Sequence, residues 1–518
     1  MSGKNQITRR RFLGLIGGSV AAVGLATLPS APGAQAAPRT TAPAPAGRPV
    51  NLGGRWLSGD FHNHTYLTDG SHTEVEVVSH AFDLFHQDFF TNSEHGGAFN
   101  RDPFGTPWTT STVKLPGTPV NADGTVWRWI SLKDYSFPII QALRTQYPDK
   151  LLIQGLEWNV PSHEHASVGI VNSEPQPITD FEYMFDQGDG DGSRAGEGLV
   201  KDNTTHASAV KGAKWLQDNH RGTSYVVLAH PSRKQKYSIA DIRDFNNVAP
   251  DVAFGLEGMP GHQKAAYRGG FGSNFGDNTY KARTYGGADY MISKVGGLWD
   301  ALLAEGRHFW TFVNSDFHNT PGDFYPGEYA KTYFYVTGAG NQGIVDSMRS
   351  GNCFMVHGNL IDGLDFTIKS KGEVATMGAR HLQATKGANA LVKIRFRSPG
   401  VVKVDHVDLI AAGFGAKIDP SSSHYGDDAN PSAAVVATFT SRDWEYKDGW
   451  CTMTFPVKKL DGNQYFRLRG TNLARGVSGQ TDSDGNPLMD EDGNGTNTAE
   501  KAWQDLWFYS NPIFVDVK

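Results

Sequence analysis

From Asn51 to about Thr367, short apolar runs alternate with stretches whose apolar residues recur at a helical spacing. In TEVEVVSHAFDLFHQ, Val75, Val78, Ala81, Phe82 and Phe85 share one helical face, which predicts a helix. FFTN (89–92) follows as a short strand. LLIQGLEW, ASVGIV, YVVLAH, VAFGLEG and HFWTFVNSD read as further strands, with helical SAVKGAKWLQDN and GGLWDALLAEG between some of them. Strands alternating with helices predict α/β units around a parallel sheet or barrel, over residues 55–365.

Beyond about Asp365 the period changes to two. DFTIKS, ALVKIRFRS, KVDHVDLIAA, AAVVATFTS, WCTMTFPVKK, QYFRLRGTN and NPIFVDV alternate apolar and polar residues between turn-forming ones, and no helix is expected among them. An all-β, sandwich-like C-terminal domain over 366–518 is the plain expectation. Two Asp/Gly-rich stretches, FDQGDGDGS (185–193) and TDSDGNPLMDEDGNGT (481–496), read as insertions. The second begins like a calcium loop with Asp490, Asp492, Asn494 and Gly495. Lys501 stands where that loop needs its twelfth-position acid, so a solvated loop is expected.

With 518 residues, 39% hydrophobic and 20% charged, the chain is globular and long enough for two or more domains. Residues 1–36 carry TRRRFLGLIGGSVAAVGLATL and end in a small-residue AQA before Ala37, the pattern of a cleavable export signal. An arginine pair followed by Phe-Leu marks the twin-arginine form, which implies a secreted or periplasmic protein with no membrane span after cleavage. A Pro/Ala-rich linker follows over 37–54. The formal net charge is −6, and residues 1–36 hold only cations (Lys4, Arg9, Arg10, Arg11), so the remainder is more acidic still. That balance argues against a stable nucleic-acid or anionic-membrane partner. It leaves an anionic small-molecule substrate open, because a metal cluster can dominate its own pocket. Cys353 and Cys451 are the only cysteines, too few for a Cys-rich zinc site, and their pairing is left open.

Candidate chemistry gathers at the strand ends. The first strand runs into His62 and His64, the second into Ser93, Glu94 and His95. Glu157 follows LLIQGL, His165 opens the next apolar run, His230 closes YVVLA, and Asp316 and His318 follow FWTFVNS. In barrels of α/β units the active site is built at that end. Any one of these alone reads as a hydrogen-bonded structural residue. Together they are the ligand types that zinc, manganese and iron share, and clustering them without a cation is costly.

His62-Asn63-His64 with Asp69-Gly70, then SEH, GLEW, HASVGI, AHP and SDFH, resemble the ordered motifs of the PHP (polymerase and histidinol phosphatase) family across about residues 56–365. The resemblance implies a distorted (β/α)7 barrel holding two or three divalent ions (Zn, Mn or Fe) at one face. The implied ligands are His62, His64, Asp69, His95, Glu157, His165, His230, Asp316 and His318. The chain departs from the family at Glu94, where an aspartate usually precedes the histidine. His163 competes with His165, which is preferred because it directly precedes the apolar run.

The expected activity is that of an exported phosphoesterase, hydrolysing phosphate mono- or diesters with a hydroxide generated at the metals. No P-loop, G-x-S-x-G or cysteine-nucleophile motif offers a competing mechanism. His262 and His163 are candidate general acids, and Arg233 is a candidate phosphate contact. The same motifs, with a C-terminal β domain, also resemble the carbaryl-hydrolase-like branch, which cleaves carbamate esters. Aromatic-rich FGTPWTT, WRWISLKDYSF and YRGGFGSNFGDNTY would suit such an apolar carbamate or carboxylic ester if they line the pocket. A non-catalytic metal or glycan binder is the third reading.

Overall fold

The computed structural model describes residues 53–114, 117–270, 276–492 and 499–518. The expected export signal and nearly all of the linker lie outside the described residues, as do Asn494 and Gly495 of the calcium-like loop.

Seven strands surround the first core: β1 (Arg55–Asp60), β2 (Phe89–Asn92), β3 (Leu151–Asn159), β4 (His165–Ile170), β5 (Ser224–Leu228), β6 (Ala253–Met259) and β7 (Trp310–Val313). They are neighbours in chain order. The expectation of an all-parallel sheet needs one correction, because β4 runs antiparallel to both β3 and β5. Only residues 160–164 join β3 to β4, too short for a crossover, so the pair folds as a hairpin. The other neighbouring pairs are parallel.

The ring is nearly closed just beyond β1 and β7, where Asn63 and Phe317 form a parallel bridge. There Asp316 N donates to His62 O at 2.9 Å and His64 N to Phe317 O at 2.8 Å. Closure brings the ends of the first and last strands side by side.

The periodic segment after β1 is helical, over Glu74–Ser79 and on through Leu84, and opens with a capping box between Thr73 and Glu76. Val77, Val78, Ala81 and Phe82 are its buried apolar positions. Helices His206–His220 and Ile239–Val248 flank β5, each opened by a capping hydroxyl, Thr205 and Ser238.

The sheet does not stop at the barrel. Ala330–Val336 pairs antiparallel with β1 and with Cys353–His357, and the order continues through Trp507–Ser510, Gln464–Thr471, His406–Gly413 and Ala434–Thr440. A separate five-stranded sheet, centred on Gly363–Ser370, Ala390–Arg397 and Trp450–Val457, shares a core with this extension. Phe366, Val392, Ile394 and Met453 come from one sheet, and Leu409, Phe466, Leu468, Phe508 and Val515 from the other. The whole is a mixed α/β protein with one long, barrel-like sheet and additional β-sheets. The C-terminal part also carries a short helix, Ala499–Gln504, where none was expected.

Both cysteines are free and buried. The stretch read as an insertion at 185–193 is instead partly interior, because Asp186 and Asp189 are buried beside Glu182. Among the described residues no helix is long and apolar enough to cross a membrane.

Candidate metal centre

Glu157, near the end of β3 and fully buried, is the hub. Its Oε1 lies 3.0 Å from His62 Nε2, 2.8 Å from His165 Nδ1 and 3.1 Å from His230 Nε2. Its Oε2 lies 2.8 Å from His95 Nδ1 and 3.2 Å from His64 Nε2. β4 delivers His165 to the same face because a hairpin strand begins where its partner ends. Asp316 Oδ1 closes the other side, 3.2 Å from His62 Nε2 and 3.3 Å from His64 Nε2. Asp69, half exposed at the rim, sits 3.5 Å from His95 Nε2 and 3.4 Å from His318 Nε2. All nine expected ligands thus gather in one cluster.

Within it, four overlapping groups have donor atoms lying within 4.8 Å of one another: His62/His64/Glu157, His62/His230/Asp316, His95/Glu157/His165 and His64/Asp69/His95/His318.

Whether a cation suits these residues can be judged from their protons. His62 Nδ1 donates to Glu257 Oε1 at 2.8 Å, so its Nε2 turns a lone pair inward. His318 Nδ1 likewise donates to the Asp316 carbonyl at 2.8 Å, leaving Nε2 facing Asp69. His62 Nε2, His64 Nε2, His95 Nδ1 and Glu157 Oε2 are all buried without a hydrogen-bond partner, although acceptor atoms crowd them. Lone pairs converging on carboxylate oxygens at about 3 Å call for a positive charge between them, supplied by a proton or by a metal ion. Protons would have to do it alone here, and the directions follow. Burial opposes charging His95, but Glu157 and Asp69 outweigh it and push the imidazole up to about 10. Burial would raise Glu157, yet His165, His95 and His62 hold it well below the usual carboxylate range. His230, buried and beside Arg233, is pushed well down. The residues fit a divalent cluster: mixed imidazole and carboxylate donors around a central acid, with tautomers fixed at His62 and His318.

Three of the chain's left-handed non-glycine residues lie at the same place. His230, His262 and Asp316 hold φ of 30°, 58° and 45°, values that residues other than glycine seldom adopt.

The surrounding groups are also defined. Glu257, on β6, accepts from His62 Nδ1 and from Asn314 Nδ2 (2.9 Å), and its other oxygen accepts from His230 N at 2.9 Å. The sequence reading missed it, although GLEG repeats the GLE of GLEW that delivers Glu157. Buried Asp60 ties the two closing strands, accepting from His62 N (3.1 Å) and Ser315 N (2.7 Å). Glu94 lies outside the four groups and accepts from the hydroxyls of Thr65 and Thr68, which fixes the turn after His64.

His262 and Arg233 both reach Asp316 Oδ2, at 3.1 and 3.0 Å. Asp323 Oδ1 holds His262 Nδ1 at 2.7 Å, and Asp316 with Asp323 raises this imidazole to about 9 against the effect of burial. His163 stands outside the cluster, stacked on Tyr237 with ring centres 5.0 Å apart. Of the aromatic-rich segments, Trp108 and Tyr135 are packed in the interior against one another, while Phe99 from a neighbouring strand stacks on His95 at 6.1 Å.

The wall behind His95 rests on the interior acids. Gly97 N donates to Glu182 Oε1 at 2.8 Å, and a Cβ at Gly96 would fall 1.9 Å from Asp186 Oδ2, so only glycine fits there. Burial raises the Asp186 carboxyl to about 6.

Compared with known proteins, the chain matches no family model and no curated protein.

Proposed function

We propose that this chain is an exported, metal-dependent hydrolase of phosphate mono- or diesters, built on a PHP-type (β/α)7 barrel with a sandwich-like β domain. The observation that carries the reading is the convergence of His62, His64, His95, His165 and His230 on the buried Glu157, with His62 Nε2, His64 Nε2, His95 Nδ1 and Glu157 Oε2 lacking hydrogen bonds. Divalent ions (Zn, Mn or Fe) held there would polarise a substrate oxygen and lower the pKa of bound water from about 15.7 to about 7.

The chain's own residues supply the rest. Glu257 holds His62 in the tautomer that points Nε2 inward, and Asp323 orients His262. His262 and Arg233 both contact Asp316 Oδ2, from where the first can deliver a proton to a leaving oxygen. Arg233 there adds positive charge beside an anionic ester. The signal read in residues 1–36 supports export of the folded chain with its metals already bound.

A second reading, cleavage of a neutral carbamate or carboxylic ester by the same ions, draws on two observations. Phe99 lies over His95, and two nearby cations are engaged by acids, Arg233 by Asp316 and Lys234 by Glu164 at 2.9 Å.

The test is hydrolysis of bis-p-nitrophenyl phosphate, p-nitrophenyl phosphate and a naphthyl carbamate, before and after chelation, with metal content measured on the same sample. Chelator-sensitive release from a phosphate ester is expected. Carbamate cleavage alone would move the second reading to first place. Full turnover by a metal-free His62→Ala/His64→Ala variant would overturn both.

A further inference from the structure

A second cluster of metal-ligating side chains lies outside the barrel centre. His163 sits in the connection between β3 and β4, His206 opens the helix His206–His220, and Asp241 lies in the first turn of Ile239–Val248. Their donor atoms are within 4.8 Å of one another, and all three are partly exposed.

The protons decide what the cluster wants. His163 Nδ1 faces the Lys236 carbonyl oxygen at 2.7 Å. A carbonyl only accepts, so Nδ1 carries the hydrogen and Nε2 the lone pair. His206 Nε2 faces Asp244 Oδ2 at 3.1 Å, and a carboxylate likewise only accepts, so the His206 lone pair is on Nδ1. These two lone pairs point at one another across 2.8 Å. Asp241 Oδ2 is spent on the Ser238 cap, at 2.8 Å from its N and 2.7 Å from its Oγ, while Oδ1 lies 3.5 Å from His206 Nδ1. Two neutral imidazoles so arranged repel unless a cation sits between them. Every ring is also locked from behind: His163 by Lys236 and by the parallel face of Tyr237, His206 by Asp244, which Tyr425 OH holds in turn at 2.7 Å. Inward lone pairs with carbonyl and carboxylate partners on the outer nitrogens are the arrangement that orients metal-bound histidines.

We propose that His163, His206 and Asp241 bind one further divalent ion of the zinc class, bracing the connections that carry the barrel ligands. Two imidazoles and one carboxylate suit zinc, with a fourth position open to solvent. The ion would tie together three segments at the mouth of the barrel. His163 lies two residues before His165, Lys236 to Asp241 follow the loop of His230 and Arg233, and His206 begins the helix preceding β5. The inference does not depend on the barrel cluster binding metal.

The experiment is equilibrium dialysis of the full chain, first stripped by chelator, against buffered free Zn2+, counting bound ions per chain at saturation. Four proteins are compared: wild type, His206→Ala, His62→Ala/His64→Ala, and the triple variant. Folding of each is checked by circular dichroism, and His206→Gln replaces His206→Ala if the latter unfolds. The expected result is one ion fewer per chain whenever His206 is replaced, in either background. Zn2+ should also raise the Tm of the His62→Ala/His64→Ala protein by more than that of the triple variant, which keeps the His95/Glu157/His165 side of the barrel cluster. Equal ion counts with and without His206 would overturn the proposal and leave a shared proton as the cation between the rings. Because the comparison is repeated without His62 and His64, failure of the barrel reading would not be mistaken for failure of this one.

Discussion

Replacing Glu257 with glutamine tests whether the barrel centre is organised for metal rather than merely crowded with histidines. The carboxylate receives three donors, His62 Nδ1 (2.8 Å) and Asn314 Nδ2 (2.9 Å) at Oε1 and His230 N (2.9 Å) at Oε2. A glutamine offers one acceptor oxygen and one NH2 group. With its oxygen at the Oε1 position, His62 keeps a neutral acceptor, but the amide nitrogen meets the His230 N–H donor against donor. The reverse placement sets it against two donors and is worse. Glu257→Gln therefore costs about 1–3 kcal/mol for the stranded buried donor. It also weakens the charge-assisted bond that orients His62. Loss of such an outer partner lowers metal affinity by about 10–100-fold, equivalent to about 1.4–2.7 kcal/mol. The assay is competition for Zn2+ or Mn2+ against a chelator of known affinity, with urea unfolding of the metal-free proteins run alongside. A variant that loses folding stability yet binds metal within about twofold of wild type would refute the reasoning, because Glu257 would then be a packing residue only.

Three further outcomes are expected. Asp300 accepts a bidentate pair from buried Arg467 at 2.8 and 2.7 Å, joining the barrel helix Leu298–Leu303 to the C-terminal sheet. Asp300→Ala should cost about 3–5 kcal/mol in urea unfolding, and Asp300→Ala/Arg467→Met should recover much of it; a loss under about 1 kcal/mol would count against a buried pair. Asp289 is buried and its carboxyl is raised to about 6 from 3.8, burial being the largest cause. A raised folded pKa gives stabilisation that is full below pH 3.8 and lost as pH rises through about 6. The stability of wild type minus that of Asp289→Asn should thus fall by up to about 3 kcal/mol between pH 4 and 7.5, and a flat difference would reject that account. Cys353 and Cys451 are free and buried, so a thiol reagent should label neither in the folded chain and both after denaturation; rapid labelling of the native protein would contradict the packing.

The centre was largely legible because strand ends carry chemistry that strand interiors cannot. His62, His64, Glu157, His230, Asp316 and His318 each follow an apolar run, and closure of the ring is enough to bring them together. Glu257 was less visible, since its role depends on the outer nitrogen of His62, contributed by a strand nearly two hundred residues earlier. The aromatic segments were harder to place. Composition marks Trp108 and Tyr135 as large and apolar without saying whether they face a pocket or a core, and both are interior. The antiparallel β4 was readable in principle from the short 160–164 link. Continuity of the sheet past Ala330–Val336 was not, because it rests on Phe354, Met355 and Val356 pairing with Ser510, Tyr509 and Phe508 far along the chain.

The energetics of the barrel end point the same way as its chemistry. His230, His262 and Asp316 each hold a left-handed backbone conformation, a cost of about 1–3 kcal/mol apiece. His230 touches Glu157 and His262 touches Asp316, the two fully buried acids of the cluster. Such strain also occurs elsewhere in the chain, at Asn359, Lys371 and Asp448 among others. Here it sits where relaxing the backbone would turn His230 away from Glu157 or Asp316 away from His62 and His64. The outer shell is built to resist that relaxation, with Asp60 and Glu257 each binding backbone N–H groups next to the ligands as well as side chains. Strain held by buried, charge-assisted hydrogen bonds is the expected signature of a site whose geometry is set before its ligand arrives. The His163–His206 pair shows the same logic: outer nitrogens committed to fixed acceptors, inner ones aimed at each other.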